Sequence, residues 1–150
     1  MGNIIRSPLA ENLFRHLVEE AGLDGKYAVD SAGTGGWHAG EAPDARMRRT
    51  AARHGLTYTG TARQVRLSDL DTFDLIVAMD SDNLRDLRAM ARKPEHRRKI
   101  RLLRDFDSSA GPNASVPDPY YGGDEDFEET FRVVEAGVRG LLQSLERGRP

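Results

Sequence analysis

Leu9, Leu13, Phe14, Leu17, Val18 and Ala21 recur at the spacing of one helical face, and Gly22 closes the run. Ser7 suits the N-cap of that helix, and Pro8 its first turn, where no backbone donor is needed. Tyr27 to Ser31 reads as a short buried strand. Pro43-Asp44 opens a second helix through Ala52 that ends at His54-Gly55; its Arg46, Arg48, Arg49 and Arg53 read as a solvated face. Ser68-Asp69-Leu70 is a capped turn of helix. Phe73 to Met79 is a near-continuous apolar run, the pattern of a central parallel strand buried on both faces. Asp80 or Ser81 then caps a helix through Ala91, with Leu84, Leu87 and Met90 inward and Pro94 beyond its end. Lys99 to Leu103 reads as the last strand, and residues 105–117 as a polar loop. Phe127, Phe131, Val134, Val138, Leu141, Leu142 and Leu145 predict a long C-terminal helix ending before Gly148.

Strands alternating with helices predict an α/β fold: an open, mostly parallel sheet with helices on both faces and right-handed crossovers. In such sheets ligands bind beyond the carboxyl ends of the strands. At 150 residues the chain is expected to be a single domain with a real core. A net charge of −2 excludes bulk attraction to nucleic acid or membrane. The basic stretch from Arg85 to Arg104 lacks interleaved aromatics and reads as a solvated face rather than a nucleic-acid patch. No apolar run is long enough to span a bilayer, and no signal-peptide pattern is present, so a cytoplasmic location is expected. The absence of Cys excludes disulfides, Cys-ligated metal and a thiol relay within these residues; no metal and no cofactor are expected.

Three stretches carry candidate chemistry. Gly2-Asn3-Ile4-Ile5-Arg6-Ser7 is a glycine-containing loop feeding a helix N-terminus, a natural cradle for an anion, with Arg6 able to clamp two phosphate oxygens. An ordinary capped helix fits the same residues. The segment from Ala32 to Gly40 is rich in glycine and holds the only Trp, Trp37, which either caps the edge of the core or walls a pocket. Asp118-Pro119-Tyr120-Tyr121 is either a turn before the last helix or a carboxylate held extended by Pro119, with two aromatic side chains beside it.

The string from Gly2 to Glu11 closely resembles the phosphate-binding loop of the low-molecular-weight protein tyrosine phosphatases, in which a nucleophilic Cys is followed by five residues and then Arg-Ser. Asp118-Pro119-Tyr120-Tyr121, Ser31-Ala32-Gly33, Phe73-Asp74, Met79-Asp80 and Asn83-Leu84-Arg85-Asp86-Leu87 extend the likeness over nearly the whole chain. The resemblance implies a protein phosphatase acting on phosphotyrosine proteins or small aryl phosphates through a phosphocysteine. Backbone amides of Gly2, Asn3, Ile4 and Ile5 and the Arg6 guanidinium would hold the phosphate. Asn3 and Ser7 would shape the loop, Asp118 would serve as acid and then base, and Trp37, Tyr120 and Tyr121 would embrace the leaving group.

By the same resemblance the nucleophile belongs immediately before Met1, together with a first strand that lies inside the sheet. The domain at 1–150 is therefore expected to be incomplete at its N-terminus, with Met1 an internal residue of the loop, and to be inactive as it stands. A natural pseudophosphatase, binding phosphate without turnover, is the alternative. Without a central strand the backbone on both sides is unpaired, and a partner strand is needed. A phosphoarginine phosphatase, with Thr where this chain has Ile4, is a further reading that the apolar Ile4 disfavours. An arsenate reductase needs additional Cys.

Overall fold

The computed structural model describes residues 4–36, 38–56 and 60–148. Helix α1 (Arg6–Glu20) buries Leu9, Leu13, Phe14, Leu17 and Val18 along one face. Gly22 takes φ +71° at its far end, where the Leu23 N–H reaches back to the Val18 carbonyl at 2.9 Å. That left-handed stop is one glycine makes without a Cβ clash. Ser7 is not the N-cap: the cap position is Ile5, with no capping side chain. The helix starts early because its entry is fixed by packing. Ile5 is buried, and the Ile4 carbonyl accepts the Asp44 N–H at 2.7 Å.

Helix α2 (Ala45–Arg53) begins at Asp44, whose side chain accepts the N–H groups of Arg46 and Met47. His54 just beyond it stacks on Phe131, with ring centroids 4.0 Å apart and planes 11° from parallel. Helix α3 (Asp69–Thr72) precedes β1 (Ile76–Ala78). Then come α4 (Ser81–Met90), α5 (Pro94–Lys99) and β2 (Ile100–Leu102). A 3₁₀ turn at Leu103–Phe106 leads toward the long α6 (Asp124–Glu146).

The two strands pair in parallel, Ile76 opposite Ile100 and Ala78 opposite Leu102. Side chains on a strand point alternately to opposite faces. Leu75, Val77 and Met79 accordingly join the apolar cluster of α1, α2 and α6, while Ile76 and Ala78 join Leu70 and Leu87 on the other face. Helices thus cover both faces of a small parallel sheet, as the strand–helix alternation predicts.

The ladder is shorter than the apolar runs imply. Among the described residues Tyr27 to Ser31 has no strand partner; a lone parallel bridge, Gly33 with Gln64, follows it. Ile76 and Val77 are half-buried rather than enclosed on both sides. The reason lies between those segments. A cavity of about 920 Å³ is lined by residues 26–34 and 72–79, by Phe14, Val138, Leu141 and Leu145, and by Ile5, Arg6 and Asp118. Helix α5 is not predicted by periodicity. Its His96 is buried, with Nδ1 accepting the Arg92 N–H at 3.2 Å and Nε2 donating to Asp71 at 2.7 Å.

Candidate functional site

Arg6 is the first residue of α1 and is 5% exposed. A buried guanidinium needs its charge and its donors answered. Its Nη1 donates to Asp80 Oδ2 at 2.7 Å and to the Val116 carbonyl at 2.9 Å. Both partners sit at the carboxyl end of β1: Asp80 follows the strand, and the Val116 N–H donates to the Met79 carbonyl at 2.7 Å. The other oxygen of Asp80 accepts the Asn83 N–H at 2.7 Å and so caps α4. Burial pushes the Asp80 carboxyl up. The Asn83 N–H and the Arg6 guanidinium outweigh burial and hold its pKa below the usual carboxylate range.

Arg6 Nη2 faces Asp118, at 3.8 Å from Oδ2. The Asp118 side chain is 43% exposed, and its Oδ1 accepts the Tyr120 N–H at 3.1 Å, which closes a short turn. The Pro117 carbonyl accepts the Thr130 hydroxyl and ties the turn to α6. Arg46 holds it from the other side. Its Nη1 donates to the Tyr120 carbonyl at 2.8 Å, its Nη2 to Asp44 at 2.9 Å, and its guanidinium lies 4.8 Å from the Phe127 ring centroid and 5.3 Å from that of Tyr120. Arg46 is therefore no part of a merely solvated face. Planar guanidinium, carboxylate fork and ring together fix the approach of the loop.

The structure brings Ile4, Ile5, Arg6, Ser7, Asp118 and Tyr120 to one mouth, with His38 across from Tyr120 at 6.4 Å between ring centroids. Tyr121 stands against Tyr120 edge-on at 4.9 Å and is 96% exposed, so it rims the mouth rather than walling it. Gly2, Asn3 and Trp37 lie outside the described residues. Asp80 was readable in the sequence as a cap but not as the partner of Arg6. Nothing in the sequence marks Val116 or Arg46. Among the described residues no group of His, Cys, Asp and Glu is placed to hold a metal ion, and no helix is long and apolar enough to cross a membrane. Chemically, the mouth offers a fixed cation at a helix N-terminus with a half-exposed carboxyl opposite. The first attracts an oxyanion; the second can give or take a proton across the gap.

The profile of the low molecular weight phosphotyrosine protein phosphatases matches residues 1–150. A low molecular weight protein-tyrosine-phosphatase of Streptomyces coelicolor is 48% identical over 145 residues, covering 96% of this chain and 88% of that protein. One from Bacillus subtilis is 43% identical over 150 residues, covering 98% and 92%. Among solved structures, a protein tyrosine phosphatase from Entamoeba histolytica superposes with a TM-score of 0.93 at 36% identity, over 99% of this chain and 94% of that one. The chain belongs to the low molecular weight phosphotyrosine protein phosphatase family.

Proposed function

We propose that the mouth around Arg6 is the phosphate site of a phosphotyrosine phosphatase domain, and that these 150 residues bind the phosphoryl group without turning it over. The observation that carries the reading is the Arg6 guanidinium 3.8 Å from the Asp118 carboxylate at the start of α1. Arg6 and the loop amides neutralise the equatorial oxygens, where charge persists through the reaction. Asp118 supplies the proton that an aryl leaving group needs. The Tyr120 ring, pinned by Arg46, is the apolar surface beside that group.

What the residues do not supply is a nucleophile. There is no Cys in the sequence, and Ser7 lies past Arg6, inside the helix. A thiolate arriving just ahead of Met1 would attack phosphorus as the ester P–O bond breaks and Asp118 protonates the leaving oxygen. Water would then attack, the S–P bond would break, and Asp118 would take the proton back. The chain as it stands is expected to leave p-nitrophenyl phosphate unhydrolysed; turnover above a Cys-blocked control overturns this. With an apolar segment ending in Cys placed before Met1, turnover is expected, and Asp118→Asn should lower it by about 10²–10⁴-fold and remove one limb of the pH profile. An unchanged profile removes Asp118 from the role.

A further inference from the structure

Residues 85–104 hold nine Lys and Arg against two acids, in a chain whose net charge is −2. The remainder of the chain carries the opposite excess, so acids are not scarce. The fold brings few of them here. Arg85 engages Asp82 at 3.3 Å and Asp86 at 3.8 Å, Lys93 engages Glu95 at 3.9 Å, and Arg101 engages Asp105 at 4.0 Å. Lys99 and Arg104 donate to the Leu70 and Ser115 carbonyls. Arg88, Arg92, Arg97 and Arg98 remain. All four are exposed, and among the described residues no carboxylate, carbonyl or ring engages their guanidinium groups. Two helix ends gather them. Arg88 lies in the last turn of α4, and the Arg92 N–H donates to His96 Nδ1 at 3.2 Å, which ties the linker to α5. Helix α5 buries His96 and leaves Arg97 and Arg98 outside. A cation in the last turn of a helix gains about 0.3–1 kcal/mol from the dipole, and one per helix suffices for that. Four guanidinium groups within eleven residues repel one another, and an anion from outside relieves the repulsion.

We propose that Arg88, Arg92, Arg97 and Arg98 form a docking surface for an extended acidic segment of a partner protein, about six residues of Asp and Glu. The planar fork of arginine matches a carboxylate with two parallel hydrogen bonds. Six extended residues reach about 20 Å, the breadth of two helices. A single-stranded nucleic acid calls for an aromatic platform, and a membrane surface for an apolar anchor. The exposed large apolar side chains among the described residues are Leu67, Tyr120 and Tyr121, none of them on α4, α5 or the turn between them. The surface is also separate from the mouth. Arg88 stands eight residues along α4 from Asp80, about 12 Å by helical rise, so the partner can hold this surface whatever occupies the mouth.

The probe is fluorescein-labelled Glu-Asp-Glu-Glu-Asp-Glu, titrated with the folded chain by fluorescence anisotropy. Arg88→Gln, Arg92→Gln, Arg97→Gln and Arg98→Gln together should weaken its binding by about tenfold or more. Salt at about 0.5 M should do the same to the parent. Arg→Lys at the same four positions keeps the charge and should cost less than about threefold. Arg132→Gln and Arg139→Gln, on α6 where each arginine pairs with a neighbouring Glu, should leave binding unchanged. The fourfold Gln variant should melt at the parent's midpoint or above it, because like charges are removed and no ion pair is lost. A lower midpoint makes the four arginines supports of their own helices and overturns the proposal. So does a fourfold Gln variant that binds the peptide as tightly as the parent. Equal binding of Gln-Asn-Gln-Gln-Asn-Gln removes the charge from the recognition and overturns it too. Tighter binding of a twelve-nucleotide oligothymidylate makes the surface one for nucleic acid. Tighter binding of vesicles of three parts phosphatidylcholine to one part phosphatidylserine makes it one for membranes. Either result refutes the acidic protein segment as the occupant.

Discussion

At the scale of single residues, Asp80 is the side chain on which the site turns. It was legible as a cap because an acidic residue stands between an apolar run and a helical pattern. Its second task was not, since nothing in local spacing couples position 80 to position 6. Asp80→Asn separates the two tasks. The amide oxygen still accepts the Asn83 N–H, and Asn caps helices as well as Asp does. The charge facing the buried Arg6 is lost, leaving the Val116 carbonyl as its main partner. The variant is expected to be about 3 kcal/mol less stable, with an unchanged urea m-value. A loss below about 1 kcal/mol in urea titration would show that the guanidinium finds its compensation elsewhere.

At the scale of elements, apolar periodicity found α1, α4 and α6, each of which turns a stripe of apolar side chains inward, while α2 was legible from its start at Pro43-Asp44 and its stop at His54-Gly55. It missed α5, whose Pro94-Glu95-His96-Arg97-Arg98-Lys99 has no apolar stripe. That helix is held by polar grips instead: His96 between Arg92 and Asp71, and Lys99 Nζ on the Leu70 carbonyl at 2.9 Å. Periodicity also says nothing of how closely elements approach. A Cβ built on Gly140 of α6 would lie 1.8 Å from the Phe106 carbonyl oxygen, and one on Gly137 2.6 Å from Leu103 Cγ. The 3₁₀ turn therefore rests directly on the backbone of α6. Helix propensity favours Ala over Gly by about 1 kcal/mol, yet the contact wins. Gly140→Ala is expected to destabilise by about 3 kcal/mol, at the upper end of overpacking losses. Gly111→Ala, with nothing within 4 Å, should stay within about 0.5 kcal/mol of the parent, and thermal melts of the two variants check both outcomes.

For the molecule as a whole, the α/β class was readable because strand-like and helix-like runs alternate. The extent of the sheet was not, because ladders need partners that composition does not display. Phe73 to Met79 has the apolar content of an enclosed strand but only three residues in a ladder. Three carboxylates make folding depend on acid. Burial raises the pKa of Asp44, Asp69 and Asp80, and stronger opposing contacts leave all three below the ordinary range. Those contacts are Arg46 and its N–H for Asp44, Arg63 and the Arg66 N–H for Asp69, and the Asn83 N–H with Arg6 for Asp80. The unfolded chain, with carboxyl pKa values of about 3.9, binds more protons in that window. The stability these groups contribute is complete above about pH 5 and drains away as pH falls through their folded values. The melting midpoint should drop between about pH 5 and pH 2, less steeply in Asp80→Asn; a midpoint independent of acid excludes the three contacts as sources of stability.

Among the described residues β1 pairs with β2 along one side only, and this bears on how crowded molecules treat each other. A greasy ribbon bonded along a single side invites its own kind, and natural proteins guard such borders with charge. Lys26, Asp30 and Asp74 are exposed on the segments flanking this one. Lys26 is paired with Glu146 and Asp30 with Arg63, which leaves the Asp74 charge to repel a second copy, and dissolved electrolyte weakens that repulsion. Added salt is therefore expected to favour self-association along that border, read as a growing light-scattering radius at constant melting midpoint.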